Sequence, residues 1–263
     1  MSSTRLKAAI HIVNTQATLL SLINSLHHRP TLYMDLQGCN VSRKGTIYIL
    51  TLYIGPIPRT TTGIAYLVDI RKLGKSAFTL RNQLGTTLKS ILESAHMKKI
   101  VFDVRNISDA LFHHFQISLQ GIQDLQLMEL AARGKNRKHV HSLNTCLEKE
   151  GAMCKADRVK WDELQRKTTR LIESRGGCRC GVFYERPLRE GILEYCTGNV
   201  AFLPGLYNAY EKMLNPAWRE LIRSATEDRI RHSQSVAYEL SGLAQNLGPW
   251  DGFCEDAADF KRV

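Results

Sequence analysis

One acid inside an apolar strand constrains this chain more than any other feature. In the stretch LYMDLQGCNVSRKGTIYIL, Leu32 to Leu50, two apolar runs flank a short basic turn, and Asp35 lies within the first run. Gln37 follows two residues later, and in a strand that spacing puts both side chains on the same face. A carboxylate taken from water into such a setting is costly unless a partner or a metal ion meets it. The rest of the chain must therefore bring a polar group or a cation to Asp35.

The flanking sequence supplies the elements. Ala8 to Val13 alternates as a strand, and Asn14, Thr15 and Gln16 open an apolar-periodic helix through about Leu26, with Thr15 as its cap. His27 to Pro30 ends that helix. Gly45 starts the second core strand, Thr46 to Ile54, and a Pro- and Thr-rich loop from Gly55 to Gly63 leads to a third, Ile64 to Ile70. Three consecutive strands predict an antiparallel meander. Thr86 to Ser94 reads as a helix with Leu88, Ile91 and Leu92 inward, Ile100 to Val104 as a strand, and Ser108 to Phe115 as a helix capped by Ser108. This alternation favours an α/β fold, a mixed sheet covered by helices.

From Asp124 onward the pattern is helical. Asp124 is expected to cap DLQLMELAAR, Gly134 to His141 to form an exposed basic loop or helix start, and Trp161 to Ile172 to form an amphipathic helix. After a glycine-rich loop from Ser174 to Gly181, Arg186-Pro187-Leu188 is expected to start a helix carrying Ile192, Leu193 and Tyr195. Pro204 should bend or restart it, and Pro216 to Arg231 reads as the last helix. The expected organisation is one domain over residues 1–232 followed by a poorly ordered extension over 233–263.

Charge and cysteine usage narrow the class. A net charge of +11, spread along the chain, suits a polyanionic partner, either nucleic acid or an anionic membrane surface. No apolar run approaches the ~18 residues of a bilayer span and no secretory signal pattern is present, so an intracellular protein, nuclear or cytoplasmic and without a membrane partner, is expected. The seven cysteines, an odd number in a long chain, predict reduced thiols. Cys178 and Cys180 together with Cys196 fall one ligand short of a zinc site.

Further pieces line up with Asp35 and Gln37. Asp109 opens the expected helix in RNISDALFHHF, and Tyr195 and Asn199 lie four apart on one helix face just after RPL. This order, with the phrases FDVRNISDALFHHF, QDLQLMELA and ERPLREGILEYC, resembles the tyrosine-containing branch of the DEDD superfamily of 3′–5′ exonucleases, in particular the RNase D-like exonuclease-domain proteins common in fungi. The resemblance covers Ile10 to Met213. It implies a ribonuclease H-like fold and a site where four carboxylates hold two Mg²⁺ or Mn²⁺ ions while the tyrosine orients the attacking water. Hard cations need charged oxygen ligands, and a metal pair activates water and stabilises the leaving oxygen. Asp35 matches the first acid, Asp109 the third and Tyr195 the tyrosine, but Gln37 stands where the glutamate is expected and Asn199 where the last aspartate is expected.

Those two amides halve the site's formal negative charge, and an amide nitrogen cannot ligate a hard cation. The sequence therefore points to a nucleic-acid-binding protein of exonuclease fold whose hydrolysis is lost or strongly reduced, with weakened Mg²⁺ or Mn²⁺ binding at Asp35 and Asp109. Strand and helix direction argue against rescue by Asp103 or Glu194. His113 and His114 read as a surface or satisfied core pair. Arg43 and Lys44, in the turn, and Arg105 are candidates for phosphate contact. Two other readings remain open: an active metal-dependent exonuclease using one metal or an unrecognised ligand, and a scaffold that binds a protein partner.

Overall fold

The computed structural model describes residues 8–56, 62–150, 155–173, 181–239 and 242–251. β1 (Ala8–Val13) leads into α1 (Gln16–Ser25), whose Thr15 cap accepts from the Thr18 amide while Thr18 returns the bond, so both exposed amides at the start are satisfied. β2 (Leu32–Cys39), β3 (Thr46–Ile54) and β4 (Gly63–Asp69) form the expected antiparallel meander. β5 (Lys99–Val101) and β6 (Ile122–Asp124) continue the sheet in parallel from β2, and β1 pairs in parallel with β4. The strand order β1-β4-β3-β2-β5-β6 makes β2 central, with Asp35 in its middle.

Two short helices, α2 (Ile70–Leu73) and α3 (Ser76–Thr79), follow β4, and α4 (Leu88–Leu92) buries Leu88, Ile91 and Leu92 as their spacing implies. α5 (Val104–Phe115) joins β5 to β6. α6 (Leu125–Ala132), α7 (Leu143–Lys149), α8 (Lys155–Glu173), α9 (Gly181–Tyr184), α10 (Glu190–Ala201), α11 (Leu203–Met213) and α12 (Pro216–Gln234) complete the chain. Apolar side chains fill both faces of the sheet. Leu32, Met34 and Leu36 of β2 enter one core with α1, α4 and α5, whereas Tyr33 enters the other with α6, α10 and α11. Among the described residues no helix is long and apolar enough to cross a membrane.

Several expectations shift. α5 starts at Val104 rather than Ser108, because Asp103 accepts from the Arg105 amide and Asp124 accepts from the amides of Asp103 and Val104. Asp103 itself has φ +61°, a costly conformation for a residue with a Cβ, held here by those bonds. The Arg186–Pro187 segment is a turn, and α10 begins at Glu190. There the Arg186 guanidinium grips Asp69 through Nε and Nη2 at 2.5 and 2.7 Å and donates to the carbonyls of Phe183 and Glu185. In the basic stretch Gly134 to His141, Arg137 is buried over the Trp218 ring. In the last described segment, 242–251, Trp250 is 4% exposed against Trp218, and the Gly248 amide donates to the Lys138 carbonyl. Cys39 is disulfide-bonded, against the expectation of reduced thiols, while Cys146 and Cys196 are free and buried. Cys178 and Cys180 lie outside the described residues.

Candidate active site

The pleat of β2 turns Asp35 and Gln37 toward the side covered by α10, as their spacing requires. A bulge between Gln37 and Gly38 sets their register against β3, and a Cβ on Gly38 would lie 1.9 Å from the Thr46 carbonyl oxygen, so only glycine permits this approach. Three N–H groups close on Asp35. The Leu36 amide donates to Oδ1 at 2.9 Å, Gln37 Nε2 to Oδ2 at 2.5 Å, and Asn199 Nδ2 to the same Oδ2 at 3.2 Å. Gln165 Nε2 then donates to Asn199 Oδ1 at 3.2 Å, and Tyr195 lies one turn before Asn199 on α10.

Burial pushes the Asp35 carboxyl up to about 6, and the three donors oppose that rise without cancelling it. Thr51, directly across the ladder, is fully buried with no partner for its hydroxyl, so it lends Asp35 no further bond. Burial likewise raises the Tyr195 phenol. A pocket of about 170 Å³ opens over Asp35, lined by Met34, Phe102, Asn144, Trp161, Gln165 and Asn199. Sequence reasoning missed Gln165, although it lies four residues after Trp161 on α8 and so shares its face. Asn144 and Phe102, one at the start of α7 and the other just after β5, carry no comparable signal in the sequence.

Asp109 is not brought to this cluster. It is 0% exposed in the middle of α5, where the Arg43 backbone amide donates to Oδ2 and Arg43 Nε to Oδ1, both at 2.6 Å. His113 Nε2 lies 3.7 Å from Oδ1, and His114 Nε2 sits 2.9 Å from the Ser42 carbonyl, so both histidines are satisfied structurally. Arg43 Nη2 donates onward to the carbonyls of Ser233 and Ser235 at 2.7 and 2.9 Å. Arg105 is similarly occupied, donating to both Asp103 oxygens and to the Gln245 carbonyl. Arg43 neutralises the buried Asp109, which would otherwise be costly, Arg105 pairs with the half-buried Asp103, and of the three expected phosphate contacts only Lys44 is exposed. Asp103 is committed to Arg105, with Arg229 3.8 Å away, and Glu194 faces solvent.

As ligands for two hard divalent cations these residues do not fit. Asp35 is the one carboxylate in the cluster, and its oxygens already accept three N–H bonds, two from side chains standing where the resemblance expects carboxylates. The other matched acid, Asp109, is spent on Arg43. Among the described residues no group of three or more His, Cys, Asp or Glu side chains is placed to hold a metal ion.

Comparison with known proteins agrees with this geometry at the level of fold and family. The chain is 28% identical over 252 residues to the piRNA biogenesis protein EXD1 of Bombyx mori, covering 92% of this chain and 69% of that one. Its fold superposes on Trypanosoma brucei RNase D in complex with RNA U12 with a TM-score of 0.69, at 18% identity, over 91% of this chain and 76% of that one. Brucella melitensis NrnC with bound Mg²⁺ superposes with a TM-score of 0.56, at 13% identity, over 90% of this chain and 100% of that one. The family model for the 3′–5′ exonuclease matches residues 10–215, from β1 to the end of α11, including the strand that holds Asp35 and the helix that holds Tyr195 and Asn199. With the sheet, the tyrosine helix and most of the chain accounted for, the chain belongs to the 3′–5′ exonuclease family.

Proposed function

We propose that this protein binds the 3′ end of single-stranded nucleic acid in the pocket over Asp35 and does not cut it. The observation that carries this reading is the clasp of Asp35 by Gln37 and Asn199. Each amide points a nitrogen at the carboxylate, so the oxygen pair that a divalent cation would need is taken up by hydrogen bonds within the protein. Losing even ~4 kcal/mol of transition-state stabilisation slows a reaction about a thousandfold. What remains is a pocket of neutral amides beside the Phe102 and Trp161 rings, suited to hydrogen bonding and stacking rather than charge stabilisation.

RNA is favoured over DNA because the Trypanosoma structure is a complex with RNA U12 and the Bombyx relative is a piRNA biogenesis protein. The test is incubation of the protein with 5′-labelled single-stranded RNA in Mg²⁺ or Mn²⁺, beside a binding titration of the same strand. Binding without shortening is the expected outcome. Shortening that disappears in Asp35→Ala would establish an active exonuclease instead, and absence of any binding would leave the scaffold reading.

A further inference from the structure

We infer that Tyr184, with Arg71 and Tyr48, forms an external stacking ledge that takes bases of a single-stranded nucleic acid whose 3′ end occupies the Asp35 pocket. The inference rests on the nucleic-acid reading above and names the part of the surface that would carry the strand. Tyr184 ends α9 and is 53% exposed, an unusual position for a large ring in an otherwise well-filled second core. The Arg71 guanidinium lies over that ring at 3.5 Å from its centroid, and Tyr48 meets it edge-on at 6.0 Å. One face of the stack is thus held by protein while much of the ring stays open to solvent.

A chain of side-chain contacts links the ledge to the pocket. Tyr48 sits on β3 in the bulge opposite Gln37 and Gly38, beside the strand that carries Asp35. Phe183, next to Tyr184, packs against Tyr195 with ring centroids 6.0 Å apart, and Tyr195 lies one turn before Asn199, whose amide donates to Asp35. Charge supports the same occupant. Arg71, Lys72 and Lys75 are exposed around the turn from α2 to α3, and among the described residues none of the three has an ion-pair partner. An open aromatic ring flanked by cations is the arrangement that binds single strands with little sequence preference, through base stacking and phosphate neutralisation. A protein partner would find here an aromatic ring but a surface dominated by unpaired positive charge.

The ledge is tested by fluorescence anisotropy with a labelled oligouridylate RNA. Tyr184→Ala is expected to weaken binding about tenfold, Tyr184→Phe to restore it, and Lys72→Gln with Lys75→Gln to flatten the salt dependence. Exposure of Tyr184 makes these variants tolerable to the fold, which thermal melts verify. A 5-iodouridine placed several nucleotides from the 3′ end should crosslink to the peptide that contains Tyr184. Wild-type binding that Tyr184→Ala leaves unchanged, or crosslinks confined to other peptides, overturns the ledge alone. A wild-type protein that binds no RNA overturns the nucleic-acid reading together with it.

Discussion

At the scale of single residues the chemistry turns on what each buried charge is given. Burial pushes the Asp35 carboxyl up to about 6 from its ordinary 3.8, and the neutral N–H donors it receives only partly offset that rise. A raised carboxyl pKa means that the folded state holds the proton more tightly than the unfolded one. Its contribution is fully present below about pH 4 and is lost as pH rises through about 6, a shift of about two units or about 3 kcal/mol at most. Urea unfolding from pH 4 to 7 should show this loss in the wild type, and Asp35→Asn should remove that part of the slope; identical slopes would contradict the burial of the acid. Asp109 instead faces a cation, since Arg43 meets it directly. Arg43→Ala leaves the buried Asp109 carboxylate without its cation, with only the backbone amide of residue 43 donating to it, and should destabilise by about 3–5 kcal/mol in the same assay, with little effect on RNA affinity once folded. A large affinity loss without destabilisation would restore Arg43 to the nucleic-acid surface.

At the scale of elements, much of the architecture is legible in the sequence because local rules and tertiary packing agree. Thr15, Asp124 and Pro216 start helices where their side chains imply, and the β2–β3–β4 meander follows from three apolar runs separated by turn residues. The start of α5 was not legible, because Asp124, distant in sequence, supplies acceptors to its first turn. The same long-range logic hides the roles of Arg43 and Arg105, whose partners include carbonyls from Ser233 to Gln245. In the candidate site, Asp35, Gln37, Tyr195 and Asn199 were legible from motif order, whereas the displacement of Asp109 depends on which side of α5 meets the β2–β3 turn. Lys99 gives this scale its own test. It is 0% exposed on β5, and its Nζ donates to the carbonyls of Ile91, Ser94 and Met97, pinning the turn after α4. Burial lowers its pKa to about 8, so its penalty fades and stability rises as pH increases from about 8 toward 10.5. Lys99→Met should lose that pH dependence and still destabilise by about 1–3 kcal/mol, because the Met97 carbonyl loses its donor while the Ile91 and Ser94 carbonyls keep only the Ser94 and Met97 amides. A neutral effect in chemical denaturation would show that the Met97 carbonyl finds another donor.

At the scale of the whole molecule, the sheet and helices of the 3′–5′ exonuclease family surround a polar centre in which Asp35 meets two side-chain amides. The net charge of +11 and the basic turn near Tyr184 favour association with a polyanion even without bound cations. Binding of single-stranded RNA should therefore weaken steeply as salt rises from about 50 to about 200 mM, with a log–log slope of about −0.7 per neutralised phosphate, and a flat curve would argue against the nucleic-acid groove. Conversion of the centre back toward carboxylates asks whether the surrounding fold still suits metal. The double variant Gln37→Glu, Asn199→Asp would place three acids together, with Asp109 still held by Arg43. The most direct test is calorimetric titration of Mn²⁺ into the wild type, this double variant and Asp35→Ala. Heat of binding is expected in the double variant alone; Mn²⁺ binding by the wild type that Asp35→Ala abolishes would contradict a centre that no longer holds metal.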